Sequence, residues 1–149
     1  MRARAALPLV PLLMAMGCAR PAHRPSVLLI TIDTLRADHL GCYGYGRTTS
    51  PRIDHLAAEG VLFERAYTTL PRTTQSIASL MTGRFPRNHG ARGLFSFLPA
   101  ANLTLAEILR GEGYATAAIV SNMFLGPGRG FEQGFDRYDN PPRRWDGNS

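Results

Sequence analysis

No lysine occurs anywhere in the 149-residue chain, and all 17 basic residues are arginine. A Schiff-base lysine, a Walker-type phosphate loop and a Lys-rich nucleic-acid patch are therefore excluded, since each needs an ammonium group. Cysteine is nearly as scarce. Cys18 and Cys42 are the only two, too few for a disulfide framework or a four-cysteine zinc site. Long apolar runs are missing as well. The longest, Ala5 to Met16, is broken by Pro8 and Pro11 and is too short to span a bilayer stably. What remains is a chain with 44% hydrophobic and 19% charged residues, a globular balance rather than a disordered one. Its formal charge of +6 is a mild bias toward anionic substrates or surfaces.

The first residues read as an address. Arg2 and Arg4 precede the apolar run, as in a secretory signal, and the run closes on Ala15-Met16-Gly17-Cys18. That tetrapeptide resembles the bacterial lipobox, which implies that residues 1–17 are removed and that Cys18 is lipidated and anchors the protein to a membrane face. A plain signal peptide cut nearby and a retained anchor helix are the alternatives. All three send the protein out of the cytoplasm, to the periplasm or the cell surface, and the lipobox makes it a lipoprotein. Residues 18–25, rich in Pro and Arg, form a tether. Cys42 is then a lone small hydrophobe.

From Ser26 onward, strand and helix signals alternate. Ser26–Ile32 (SVLLITI) is a continuous run suited to a strand buried on both faces of a parallel sheet. Ser50-Pro51 opens a helix that Gly60 stops. Val61–Tyr67 is a second expected strand. Thr73–Thr82 shows Ile77, Leu80 and Met81 at helical spacing, with Gly83 as its end. Residues 90–101 have no usable period and are expected to be loop. Thr104 to Glu107 is a capping-box pattern opening a helix that ends near Gly111 or Gly113. Tyr114–Val120 is a third strand. This order predicts an α/β fold around a largely parallel sheet.

Function in such sheets collects at the carboxyl ends of strands. Asp33 follows the first expected strand and Ser121-Asn122 the third. Thr73-Thr74 opens a helix, whose free amides and dipole attract anions. In isolation each has a bland reading. An Asp after a strand is often a loop residue, and a Thr before a helix is usually its N-cap, with Thr74 the rival candidate for that place. His89 reads as structural, His39 and His55 as surface residues, and the Asn102-Leu103-Thr104 glycosylation triplet is discounted for a bacterial lipoprotein.

The run VLLITIDTLRADHLGCYGYGRTTSPRIDHLAAEGVLFERAYT, with SIASLMTGRFPRNHG, LAEILRGEGYATAAIVSN and GFEQGFDRYD, resembles the N-terminal part of the sulfatase family of the alkaline phosphatase superfamily. The resemblance covers about residues 26–140. It implies a partial α/β/α sandwich and metal-assisted attack on a sulfate or phosphate ester. Asp33 matches the family's first metal-ligating acid, and Thr34 stands where a second acid is common. Counting back from Thr82-Gly83, the nucleophile position falls on Thr73 rather than on the usual Cys or Ser, which implies the Thr-bearing branch of the superfamily. Where many sulfatases carry G-K-W-H-L after the third strand, this chain has Ser121-Asn122-Met123-Phe124-Leu125; the cationic contact is gone, and Asn122 remains as a hydrogen-bond donor to substrate. Arg84, or Arg72, would complement the anion bidentately.

The chemistry implied is coherent. A divalent cation lowers the pKa of an oxygen it binds, and Ca, Mg, Mn and Zn all occur in the superfamily. Such a cation wants about six oxygen ligands, so residues 26–149 are expected to be an N-terminal portion of a catalytic domain, inactive or nearly so alone. The partners expected are an anionic ester substrate and a membrane through a lipid anchor, with no nucleic acid. A sulfatase-like hydrolase is the leading expectation. A phosphoethanolamine- or phosphoglycerol-type transferase and a non-catalytic anion-binding lipoprotein are the alternatives.

Overall fold

The computed structural model describes residues 24–141. The chain divides into two compact units, Met1–Ile32 and Asp33–Ser149. In the first unit, residues 24–32 form no strand, which corrects the expectation for Ser26–Ile32. A parallel strand needs ladder hydrogen bonds along its edges and cover on its faces. Here Val27, Leu28, Leu29, Ile30 and Ile32 all stand exposed. The leader, Cys18 and most of the tether lie outside the described residues.

The helices and strands described all fall in the second unit. Two single turns of 3-10 helix, Ala37–His39 and Gly41–Tyr43, precede α1, Pro51–Glu59. Pro51 takes the first helical turn as the sequence predicts. Ser50, however, does not cap the helix. Its hydroxyl donates to the Asp54 carboxylate at 3.0 Å and accepts from the Gly41 N–H at 3.0 Å. Cys42 N–H donates to Asp54 Oδ1 at 2.8 Å. Asp54 thus pulls the preceding loop onto α1. Burial pushes the Cys42 thiol pKa up, and the neighbouring Asp54 adds to the shift.

Val61–Tyr67 also forms no strand, a second correction. Strand propensity reports how well a side chain fits a partnered, half-buried surface, and Val61, Phe63 and Tyr67 are instead largely exposed. The next helix, α2, runs over Thr73–Thr82 and ends on Gly83 at φ +64°, a left-handed cap that glycine adopts without strain. Its buried residues are Thr74, Gln75, Ala78 and Ser79. This face is more polar than the apolar spacing suggests because α2 packs on loops whose carbonyls need donors. Thr74 Oγ1 donates to the Leu94 carbonyl at 2.5 Å, and Gln75 Nε2 donates to the Arg92 carbonyl at 2.8 Å.

A one-turn helix, α3, covers Pro86–His89 and turns at Gly90; no period in the sequence announces it. Residues 91–101 carry no helix or strand, as expected. The fourth helix, α4, spans Leu105–Gly111 behind a complete capping box between Thr104 and Glu107. The third expected strand is present but shorter: β1 is Ala117–Ile119. It pairs in parallel with β2, Arg137–Asp139, in the register Ala117 to Arg137 and Ile119 to Asp139. The core beside this pair is Ala78, Ala91, Leu98, Leu125 and Phe131, flanked by Ile77, Val120 and Tyr138. The architecture is α/β with a small parallel sheet. No helix among the described residues is long and apolar enough to cross a membrane.

Candidate active site

The site is built at the N-terminus of α2. Arg72, not a threonine, occupies the N-cap position, in an extended conformation with no side-chain cap. Thr73 is therefore the first helical residue, and its hydroxyl is not used in capping. That hydroxyl donates to Asp33 Oδ2 at 3.0 Å. Thr74, the neighbouring candidate, is separated from it by burial. Thr74 is 0% exposed, and its hydroxyl is committed to the Leu94 carbonyl.

Asn122 completes the cluster. Its Nδ2 donates to the same Asp33 oxygen at 2.6 Å. Its Oδ1 accepts the Phe124 N–H at 2.8 Å, which caps the 3-10 turn Met123–Leu125. With the amide oxygen held on a backbone donor, the amide nitrogen is left to face the carboxylate. The stretch leading into Thr73 is laced to α2 by two hydroxyl pairs, Thr68 with Ser76 and Thr69 with Ser79, both at 2.9 Å. The unsatisfied amides of the first turn and the helix dipole give this end of α2 a positive character.

Backbone strain sits next to the carboxylate. Thr34 has φ +57°, a left-handed conformation unfavourable for a β-branched residue. Its hydroxyl donates to the Asp33 carbonyl at 2.8 Å. No sequence signal announced this turn beyond the polar loop after Ile32.

The structure does not bring Arg84 to the cluster. Arg84 follows the C-terminal end of α2, about 16 Å from Thr73 at the rise of an α-helix, and its Nη1 lies 3.4 Å from Asn102 Oδ1. Asn102 is itself buried, and its Nδ2 donates to the His89 and Pro99 carbonyls, so in the folded chain it is not open to glycosylation. His89 is 1% exposed. Its Nδ1 accepts the Ala91 N–H at 3.1 Å, which leaves Nε2 to donate to Ser79 Oγ at 3.1 Å. Burial pushes its pKa down. His89 is thus a neutral structural residue.

Asp33 and Thr73 present a carboxylate and a hydroxyl, the hard oxygen donors a divalent cation takes. No group of three or more His, Cys, Asp or Glu gathers among the described residues. The donors fit such a cation in kind and would make up only one side of a shell.

The profile of the Sulfatase family matches residues 25–147. The chain is 37% identical over 147 residues to steryl-sulfatase of Rattus norvegicus, covering 83% of this chain and 25% of that protein. It is 36% identical over 143 residues to arylsulfatase A of Homo sapiens, covering 87% of this chain and 27% of that protein. Among solved structures it is similar to the phosphonate monoester hydrolase of Agrobacterium radiobacter, with a TM-score of 0.67 and 29% identity over 80% of this chain and 26% of the other. The chain spans about a quarter of the length of these relatives.

Proposed function

The chain belongs to the sulfatase family, and from that premise we propose that its full-length protein is a metal-dependent hydrolase of sulfate or phosphate esters with Thr73 as nucleophile. One observation carries the reading. Thr73, free of any capping duty, directs its hydroxyl at Asp33 from a helix N-terminus. Asp33 and Thr73 would hold the divalent cation, which when bound lowers the hydroxyl pKa and offsets the charge of the ester.

The chain's own residues supply the rest. Thr73 Oγ forms a bond to the sulfur or phosphorus centre as the bond to the ester oxygen breaks, and its proton passes to solvent. The ester oxygen departs as the alcohol, taking up a proton from solvent. Water then cleaves the ester on Thr73 and regenerates the hydroxyl. Asn122 Nδ2 holds Asp33 Oδ2 in place, and the first turn of α2 turns its positive end toward the non-bridging oxygens. The domain plan that accompanies this reading is a leader over residues 1–17, a tether over 18–25 and the catalytic portion from residue 26. The leader and the lipobox at Cys18 support export and a lipid anchor in the cell envelope.

The test uses the full-length protein with its metal, assayed in parallel on an aryl sulfate and an aryl phosphate ester. Turnover of at least one is expected, together with a sulfo or phospho adduct on Thr73 trapped by rapid quench and located by mass spectrometry. A Thr73→Ala variant that keeps wild-type turnover refutes the assignment.

A further inference from the structure

The register of the two strands places a proline where the sheet needs a donor. Arg137 N–H donates to the Thr116 carbonyl at 3.2 Å and Val120 N–H to the Asp139 carbonyl at 2.8 Å, with Ala117 opposite Arg137 and Ile119 opposite Asp139. A parallel ladder repeats every two residues, so its next bond would run from the N–H of residue 141 to the Val120 carbonyl. Residue 141 is Pro, which has no N–H to give. The preceding side chain takes its place. Asn140 Nδ2 donates to the Val120 carbonyl at 2.8 Å and lies 3.5 Å from the Asn122 carbonyl. One side-chain amide thus closes the sheet and reaches the backbone of the residue that meets Asp33.

The end of β2 holds the Asn122 turn at a second point. The Tyr138 hydroxyl, two residues before Asn140, donates to the Leu125 carbonyl at 2.5 Å. A Cβ added at Gly126 would meet Asn140 Oδ1 at 3.7 Å, so the amide packs beside the residue that closes the turn Met123–Leu125. Elsewhere on the turn, the Phe124 ring meets Phe95 edge-on with centroids 5.4 Å apart. Within it, Asn122 spends Oδ1 on the Phe124 N–H and turns Nδ2 to Asp33. Asn122 lies two residues past Val120, so the path of the chain from Val120 sets whether Nδ2 reaches Asp33 Oδ2.

We propose that Asn140 is a positioning residue for the reacting end: by replacing the donor that Pro141 lacks, it closes the ladder at Val120 and fixes the path on which Asn122 meets Asp33. This rests on the reading of Asp33, Thr73 and Asn122 as the reacting end. Asn140 acts through Asn122 and not on the ester. Without its amide the Val120 carbonyl loses its donor, and Ser121-Asn122 is free to shift. Any N–H delivered to that carbonyl from residue 141 does the same work.

The test compares variants of the full-length metal-loaded protein by steady-state kinetics on an aryl sulfate and an aryl phosphate ester, with thermal melts of the same preparations. Asn140→Ala is expected to lower kcat about threefold, the scale of one hydrogen bond, with KM little changed. Pro141→Ala alone is expected to leave kcat unchanged. Asn140→Ala combined with Pro141→Ala restores a backbone donor to the ladder, and kcat is expected to return to near the wild-type value. In an Asn122→Ala background, Asn140→Ala is expected to lower Tm but not kcat, which a purely structural role would not produce. Wild-type kcat in Asn140→Ala, no recovery in the combined variant, or losses that multiply in the Asn122→Ala background overturn the inference and leave the reacting end intact. An Asn140→Ala protein that does not fold, rescued to turnover by Pro141→Ala, supports it; failure of both to fold overturns it. An Asn122→Ala variant with wild-type turnover overturns the role of Asn122, and that of Asn140 with it.

Discussion

Asn122 Nδ2 sits 2.6 Å from Asp33 Oδ2, joining two residues 89 positions apart in the chain. The contact is a charge-assisted donor to a carboxylate that also accepts from Thr73. Because Asp33 is exposed, its value lies at the low end of such bonds. Asn122→Ala in the full-length protein is expected to lower kcat/KM by about tenfold or less. Asn122→Asp sets a second carboxylate against Asp33 and is expected to be worse than Ala. Steady-state kinetics of the two variants side by side check the order; Asp performing better than Ala would show that the amide does not act on Asp33 as a donor.

Adjacent threonines divide two roles. Thr74 is buried and donates to the Leu94 carbonyl, whereas Thr73 is half-buried and faces Asp33. Thr74→Val strands a buried carbonyl and is expected to cost about 1–3 kcal/mol of stability. Thr73→Val is expected to change stability by less than about 0.5 kcal/mol and to abolish turnover of the full-length protein. Denaturant melts and activity measured on the same two preparations separate the roles.

Local signals were legible in the sequence, and pairings were not. The stop at Gly83, the Pro51 start and the Thr104–Glu107 capping box each depend on a few adjacent residues, and all three are present. The strand expectations over Ser26–Ile32 and Val61–Tyr67 failed because strand formation depends on a distant partner. The partner strand that does form, Arg137–Asp139, lies in a polar, Gly-rich stretch with no apolar alternation. The meeting of Asp33, Thr73 and Asn122 was expected from family resemblance and strand-end logic. The distance of Arg84 from them follows from its place eleven residues along from Thr73, past the far end of α2. The Thr34 strain and the Phe95–Phe124 contact have no local signature, since both arise from how separated loops are held.

Thr34 is the strained position, with φ +57° beside the carboxylate. Such strain persists only where the surroundings enforce it. Thr34→Gly removes the β-branch penalty and is expected to raise stability by about 0.5–1 kcal/mol despite the greater freedom of glycine when unfolded. The same change frees the backbone that aims Asp33, so kcat of the full-length protein is expected to fall. A variant that is both less stable and equally active would show that the left-handed turn serves neither end.

Buried His89 gives the fold a pH dependence. Its Nδ1 accepts from the Ala91 N–H, its Nε2 faces Ser79, and burial holds its folded pKa below the ordinary 6.5. Above about pH 6.5 the imidazole is neutral in both folded and unfolded chains, and the site is fully stabilising. As pH falls below that value, the unfolded chain takes up a proton that the folded site resists, and stability is lost progressively until the folded pKa is passed. Protonation would also turn Nδ1 from acceptor to donor and set it against the Ala91 N–H. Thermal melts between pH 8 and pH 4.5 are expected to show Tm falling below pH 6.5. His89→Gln is expected to be less stable at pH 7.5, because a buried hydrogen-bond pair is disturbed, yet to show a flatter slope across the same range. A slope unchanged in His89→Gln would assign the acid sensitivity to carboxylates elsewhere in the chain.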